Sequence, residues 1–210
     1  LYAKSPPTTM AKYACTSNTV YKTLPLYAGF FFAVLDLGAN VDIRPAHYAQ
    51  FAALGAAYAT IRLGLERPRV GLLSNGTEIS KGTDRLRDAH QQLSVTDLNY
   101  VGFVEGNQIP LGACDVVVTD GFVGNVVLKV SEGVVEGIAR RLRAHLSSSW
   151  SRRVIGALLK KTLRAFAAEI DWRQFGGAPL LGLNGVVVLS HGRADATALC
   201  EAVRQARRSS

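Results

Sequence analysis

The sequence predicts an α/β fold, with a mostly parallel sheet covered on both faces by helices. Two observations carry this. Short apolar runs alternate with stretches of helical period over residues 34–210. The runs also end in polar, usually glycine-containing segments, the kind of strand exit where ligands gather in parallel sheets.

The first run, Val34-Leu35-Asp36-Leu37, exits into Gly38-Ala39-Asn40-Val41-Asp42. Pro45 suits a helix start, and Tyr48, Phe51, Ala52, Gly55 and Tyr58 recur at helical spacing to about Leu65. The many small residues on that helix read as a close-packing face. Arg67-Pro68 ends it, and Val70-Gly71-Leu72-Leu73 forms a second strand that exits through Ser74 to Gly82. A helix through Leu86, Ala89 and Leu93 follows, then a strand at 99–104 with the exit Glu105-Gly106-Asn107. Val116-Val117-Val118 is the fourth strand, and a helix runs from about Asn125 to Leu146 with Val127, Val130, Val134, Ile138 and Leu142 on one face. Gln174 to Gly182 reads as a glycine-rich loop before a strand at 186–189, which exits into Ser190-His191-Gly192-Arg193. A helix carrying Ala198, Leu199, Ala202, Val203 and Ala206 closes the chain.

Residues 1–33 have no convincing period and are given no structure. The 210 residues, 48% of them hydrophobic, suit one principal domain. Lys and Arg outnumber Asp and Glu by 24 to 16, which attracts anionic partners without choosing among them. Nucleic acid is not expected, because no binding motif accompanies the charge. Cys15, Cys114 and Cys200 match no zinc spacing and read as free thiols of a reduced, cytoplasmic protein. No apolar run reaches the length of a membrane span.

One segment differs in kind. From Ser147 to Trp172, Val154, Ile155, Leu158, Leu159, Leu163 and Phe166 alternate with Arg152, Arg153, Lys160, Lys161 and Arg164, and no acidic residue interrupts the chain between Glu136 and Glu169. Two readings stand side by side: a basic amphipathic helix or hairpin facing a membrane or acidic partner, and an ordinary packed helix pair.

Thr119-Asp120-Gly121-Phe122-Val123-Gly124-Asn125 is the sharpest candidate site, a strand, a glycine turn and a helix start whose first N–H groups suit an anion. An ordinary βα turn has the same pattern. The segment 75–82 adds two glycines, hydroxyls and the amine of Lys81 at a second strand exit. Lys81, Asp120, Asn125 and His191 are expected on one rim, since parallel strands share their carboxyl edge.

Residues 35–42, 75–82, 119–125 and 176–192, taken in this order, together resemble the phosphate acyltransferase (PlsX) family of bacterial phospholipid synthesis. The resemblance covers about 34–210. It implies a three-layer α/β/α fold like that of isocitrate and isopropylmalate dehydrogenases, with a protruding basic amphipathic helical hairpin at 147–172. It further implies a homodimer that associates peripherally with anionic membrane, and transfer of a fatty acyl group from acyl carrier protein to inorganic phosphate. Family members also carry an early Asp-Ala-Met-Gly-Gly-Asp motif and a later Ser-Ala-Gly-Asn-Thr-Gly-Ala motif, neither of which occurs here. The chain thus resembles the carboxyl-terminal part of the enzyme behind a divergent leader at 1–33.

No nucleophile elbow, metal cluster or nucleotide fingerprint is apparent, so direct attack of bound phosphate on the thioester fits better than an acyl-enzyme, with no cofactor and no metal. Lys81, Asn125 and His191 are the expected catalytic residues, His191 in proton management. Asp36, Gly38, Asn40, Asn75, Gly76, Gly82, Asp120, Gly121, Gly124 and Arg193 are expected to bind substrate or organise the pocket. Arg153, Leu158, Leu159, Lys160 and Lys161 are expected to touch membrane or partner. The alternative is a binding module that keeps only the carrier-protein or membrane surface. A nicotinamide dehydrogenase is disfavoured because no Gly-x-Gly-x-x-Gly follows a strand.

Overall fold

The computed structural model describes residues 21–22, 33–169, 177–190, 192 and 194–209. In chain order the elements are β1 (Tyr21–Lys22), β2 (Ala33–Leu35), α1 (Pro45–Leu63), β3 (Val70–Ser74), α2 (Asp84–Ser94) and β4 (Tyr100–Glu105), then a 3-10 turn at Ile109–Leu111. β5 (Val116–Val118), α3 (Gly121–Ser147), α4 (Trp150–Glu169), β6 (Ala178–Leu181), β7 (Val188–Leu189) and α5 (Ala196–Ser209) complete them.

Four strands form a parallel sheet in the order β2-β5-β3-β4, with Leu35 beside Val118 and Val118 beside Leu72. Successive side chains alternate between its faces. Ala33, Leu35, Val70, Leu72, Phe103, Val116 and Val118 join Phe51, Ala52, Ala56, Ala89 and Leu93 of α1 and α2 in one core. Val34, Leu73, Val104 and Val117 face the opposite way, into a smaller cluster with Ile109, Cys114 and Leu128 of α3. Both faces are therefore apolar, which is why these strands read as unbroken apolar runs.

Local chemistry sets the helix ends. Pro45 opens α1, and Gly64, at φ 70°, closes it by donating its N–H to the Ala59 carbonyl. Within α1 a Cβ on Gly55 would stand 2.6 Å from Val116 Cγ1 and 2.8 Å from Leu35 Cδ1, so the small residues do bring this helix down onto the sheet. Thr83 caps α2 by accepting the Leu86 N–H at 3.3 Å.

The structure departs from the sequence reading at three places. α3 begins at Gly121 rather than near Asn125, because the Asp120 side chain caps it and both glycines fall inside its first turns. The basic segment is one helix, α4, rather than a hairpin of its own. It packs against α3 across a two-residue turn at Ser148-Ser149, with Gly156 facing Leu146. Finally, Ala178–Leu181 is a strand within the expected glycine-rich loop. It pairs antiparallel with β7 and β1 in a separate three-stranded sheet, so the strand before His191 is not part of the parallel sheet.

Candidate active site at the carboxyl edge of the sheet

The polar exits of β2, β3 and β5 lie side by side because those strands are parallel neighbours. Asp36 organises the first exit from a fully buried position. Its Oδ1 accepts the N–H groups of Gly38 at 3.0 Å and Ala39 at 2.9 Å, and its Oδ2 accepts the Asn40 N–H and Nδ2, both at 2.7 Å. Four donors on one carboxylate offset the cost of burying it and close the loop over it. Asp36 and Thr119 also join the loop to β5, through Asp36 N–H to the Thr119 carbonyl at 2.9 Å and Thr119 N–H to the Leu35 carbonyl at 2.6 Å.

The start of α3 docks on this loop backbone to backbone. Gly121 donates its N–H to the Asn40 carbonyl at 2.8 Å, and a Cβ at Gly121 would lie 2.7 Å from the same oxygen. At Gly124 a Cβ would fall on the Asp36 carbonyl oxygen. Gly38, at φ 118°, lies under the exposed Asn125 side chain, whose Cβ and Cγ come within 3.5 and 3.6 Å of the position a Cβ would take. Asp36, Gly38, Asn40, Gly121, Gly124 and Asn125 are thus gathered in one cluster.

This geometry corrects one expectation. The helix-start amides were read as open to an anion, but Gly121 donates to Asn40, Val123 to Asp120 Oδ1 at 2.8 Å, and Gly124 to the Asp120 carbonyl at 2.9 Å. Gly121 and Gly124 permit this close contact between protein segments.

The β3 exit is a second unit. Asn75 Oδ1 accepts the Gly82 N–H at 2.9 Å and the Ser74 hydroxyl at 3.4 Å, and Gly82 takes φ 79° to make the turn. The Lys81 stem crosses Gly76, where a Cβ would meet its Cγ at 2.6 Å. Lys81 Nζ lies 3.7 Å from Glu78 Oε2, with half of the side chain exposed.

Between the two exits lies a cleft of about 370 Å³ lined by Val41, Ile43, Tyr48, Thr83, Asp84, Arg85 and Asp120. Of these only Asp120 was anticipated as a site residue. Tyr48 is buried, and its hydroxyl points to Asp120 Oδ2 at 3.5 Å. Burial first, and then the Asp120 charge, push the phenol far above its ordinary pKa, so it remains a proton donor. Arg85 pairs with Asp42, and Arg87 with Asp84. Tyr48 escaped the sequence reading because its helical spacing matched a packing face; an aromatic hydroxyl just after a polar strand exit was the available signal. His191 and Arg193 lie outside the described residues. Among the described residues no group of three or more His, Cys, Asp or Glu could hold a metal ion.

Away from the edge, α4 presents Arg153, Leu158, Leu159, Lys160 and Lys161 at the surface, Leu158 being 78% exposed. Val126, Val130, Val134, Ile138 and Leu142 form an exposed apolar stripe on α3. No helix among the described residues is long and apolar enough to cross a membrane.

The family model described as "Fatty acid synthesis protein" matches residues 12–210. The chain belongs to this family. Its relatives include the phosphate acyltransferases of Syntrophotalea carbinolica, 50% identical over 176 residues, and of a Geobacillus species, 48% identical over 185. These alignments take in 84% and 88% of this chain but 51% and 56% of the relatives, so the chain spans about half the length of the curated relatives it matches. Among solved structures, EutD phosphotransacetylase from Staphylococcus aureus is a distant likeness, with a TM-score of 0.45 and 14% identity over 58% of this chain and 44% of that one.

Proposed function

We propose that the protein transfers a fatty acyl group from acyl carrier protein to inorganic phosphate, giving acyl phosphate for phospholipid synthesis. The supporting observation is family membership alongside phosphate acyltransferase relatives at 50% and 48% identity. In this reaction a phosphate oxygen attacks the thioester carbonyl, the C–S bond breaks and the carrier thiolate takes up a proton. The residue's task is positioning and charge stabilisation. Lys81 and Asn125 serve the phosphate and the carbonyl oxygen, His191 the proton, and Arg193 the anion. The loops ordered by Asp36, with Gly38 and Asn40, and by Asn75, with Gly76 and Gly82, hold Asn125 and Lys81 in place.

The same reading includes a likeness to the isocitrate and isopropylmalate dehydrogenase fold, a homodimer and reversible attachment of the basic segment at 147–172 to anionic membrane. A second reading, a carrier-protein or membrane binding module, is favoured by the exposed basic and apolar surface of α4. Incubation with acyl–acyl carrier protein and labelled phosphate separates the two. Acyl phosphate should form, and Lys81→Ala or Asn125→Ala should lower its rate roughly ten- to a thousandfold with the fold intact. Undiminished turnover in both variants removes these residues from the mechanism. Vesicle binding without any acyl phosphate leaves the binding module.

A further inference from the structure

We propose that the cleft beside Asp120 receives the uncharged, amide-bearing arm of the acyl donor, a pantetheine-like thiol chain, and that phosphate binds elsewhere. This inference rests on the acyl-transfer reading and adds a subsite to it.

Four features of the cleft agree on the chemistry. Its volume, about 370 Å³, lies within the range of small-molecule sites. Its walls are half apolar, with Val41 64% exposed at the mouth and Ile43 and the Tyr48 ring buried behind it. Its charges disfavour an anion: Asp84 is paired with Arg87 and Arg85 with Asp42, which leaves the Asp120 carboxylate without a cationic partner among the described residues. The fourth feature is a hydrogen-bonding preference. Asp120 Oδ1 is engaged by the Val123 N–H at 2.8 Å, while among the described residues Oδ2 faces the long 3.5 Å contact from the Tyr48 hydroxyl and no other donor. A carboxylate oxygen so placed calls for a ligand N–H or O–H. An uncharged chain with amide and hydroxyl donors supplies such groups without added charge, whereas a phosphate dianion brings one O–H together with two negative charges that the carboxylate repels.

Position agrees as well. Asp120 begins α3, and the next turn of that helix sets Asn125 over Gly38. A chain anchored at Asp120 therefore lies within about two helical turns of Asn125, where the thioester chemistry is proposed.

Amide-resolved NMR titration of the 210-residue chain tests this, with pantetheine and inorganic phosphate as separate probes. Pantetheine should shift the amides of Val41, Ile43, Tyr48, Thr83 and Arg85, and phosphate should leave them unmoved. Val41→Trp, at an exposed position, should fill the mouth and weaken pantetheine at least fivefold with an unchanged circular dichroism spectrum. The assignment is overturned by pantetheine shifts absent from these amides, by equal affinity in Val41→Trp, or by phosphate shifting them most. Acyl phosphate formation without pantetheine in the cleft would sink the subsite and keep the activity. Pantetheine in the cleft of a protein that makes no acyl phosphate would keep the subsite and sink the activity.

Discussion

Gly124 and Gly133 share α3 and have opposite surroundings. A Cβ at Gly124 would fall on the Asp36 carbonyl oxygen, whereas nothing lies within 4 Å of one at the exposed Gly133. Gly124→Ala should therefore force α3 off the 36–40 loop and cost about 1–3 kcal/mol or more. Gly133→Ala should gain about 0.5–1 kcal/mol through helix propensity. Urea denaturation of the two variants checks both signs, and equal effects would contradict the packing described. A second test concerns Asp115, whose carboxylate meets Arg69 at 2.8 Å where β3 and β5 begin. Burial works to raise its pKa, but the hydrogen bonds and charge of Arg69 outweigh burial and hold it below the ordinary 3.8. A group depressed on folding stabilises above its unfolded pKa and loses that contribution as pH falls through the folded one. Asp115→Asn should thus cost about 1–2 kcal/mol at pH 7, and the deficit should shrink as pH drops below about 4; a pH-independent deficit would refute the pairing. The sequence singled out Asp36, Asn40, Gly121 and Gly124 as site residues. It left open that the glycines face protein, because φ and packing distance are properties of the assembled loops.

At the level of elements, helix period and apolar runs were enough to locate α1, α2, β3, β4 and β5. β6 was hidden because Gly176, Gly177, Pro179 and Gly182 spell a loop, and its pairing with β7 is a long-range choice that local propensity does not encode. The amphipathic character of α4 was legible, and a packed helix pair was one of its two readings; the sequence did not choose between them, since both helices carry apolar residues in excess of that shared contact. That excess grounds a prediction about lipid. Leu158, Leu159 and Phe166 supply apolar contacts, while each basic residue near an anionic surface contributes about 1 kcal/mol. Binding should be reversible and weakened by salt rather than insertive. Co-sedimentation with vesicles containing anionic lipid should retain the protein at low salt, and Leu158→Glu with Leu159→Glu should abolish retention while the fold survives. Retention by the double variant, or no retention of the parent, would rule out α4 as the membrane contact.

For the whole molecule, alternation of strand and helix correctly announced a parallel sheet, but it extended that sheet too far. The antiparallel sheet of β1, β6 and β7 interrupts the pattern, and with it goes the shared-edge reasoning that had placed His191 beside Lys81. Strand order has a different consequence, in the time domain. β5 is the last of the four parallel strands along the chain, yet it lies between β2 and β3 and separates them. Contacts so distant in sequence form late, because loop closure must precede the gain from pairing. While the chain emerges from a ribosome, β3 and β4 can pair early, but β2 has no neighbour in this sheet until Val116–Val118 has appeared. Nascent chains arrested before residue 116 should therefore expose the 33–42 segment to protease, and chains arrested well after residue 147 should protect it; equal cleavage of both would show that β2 finds shelter without β5.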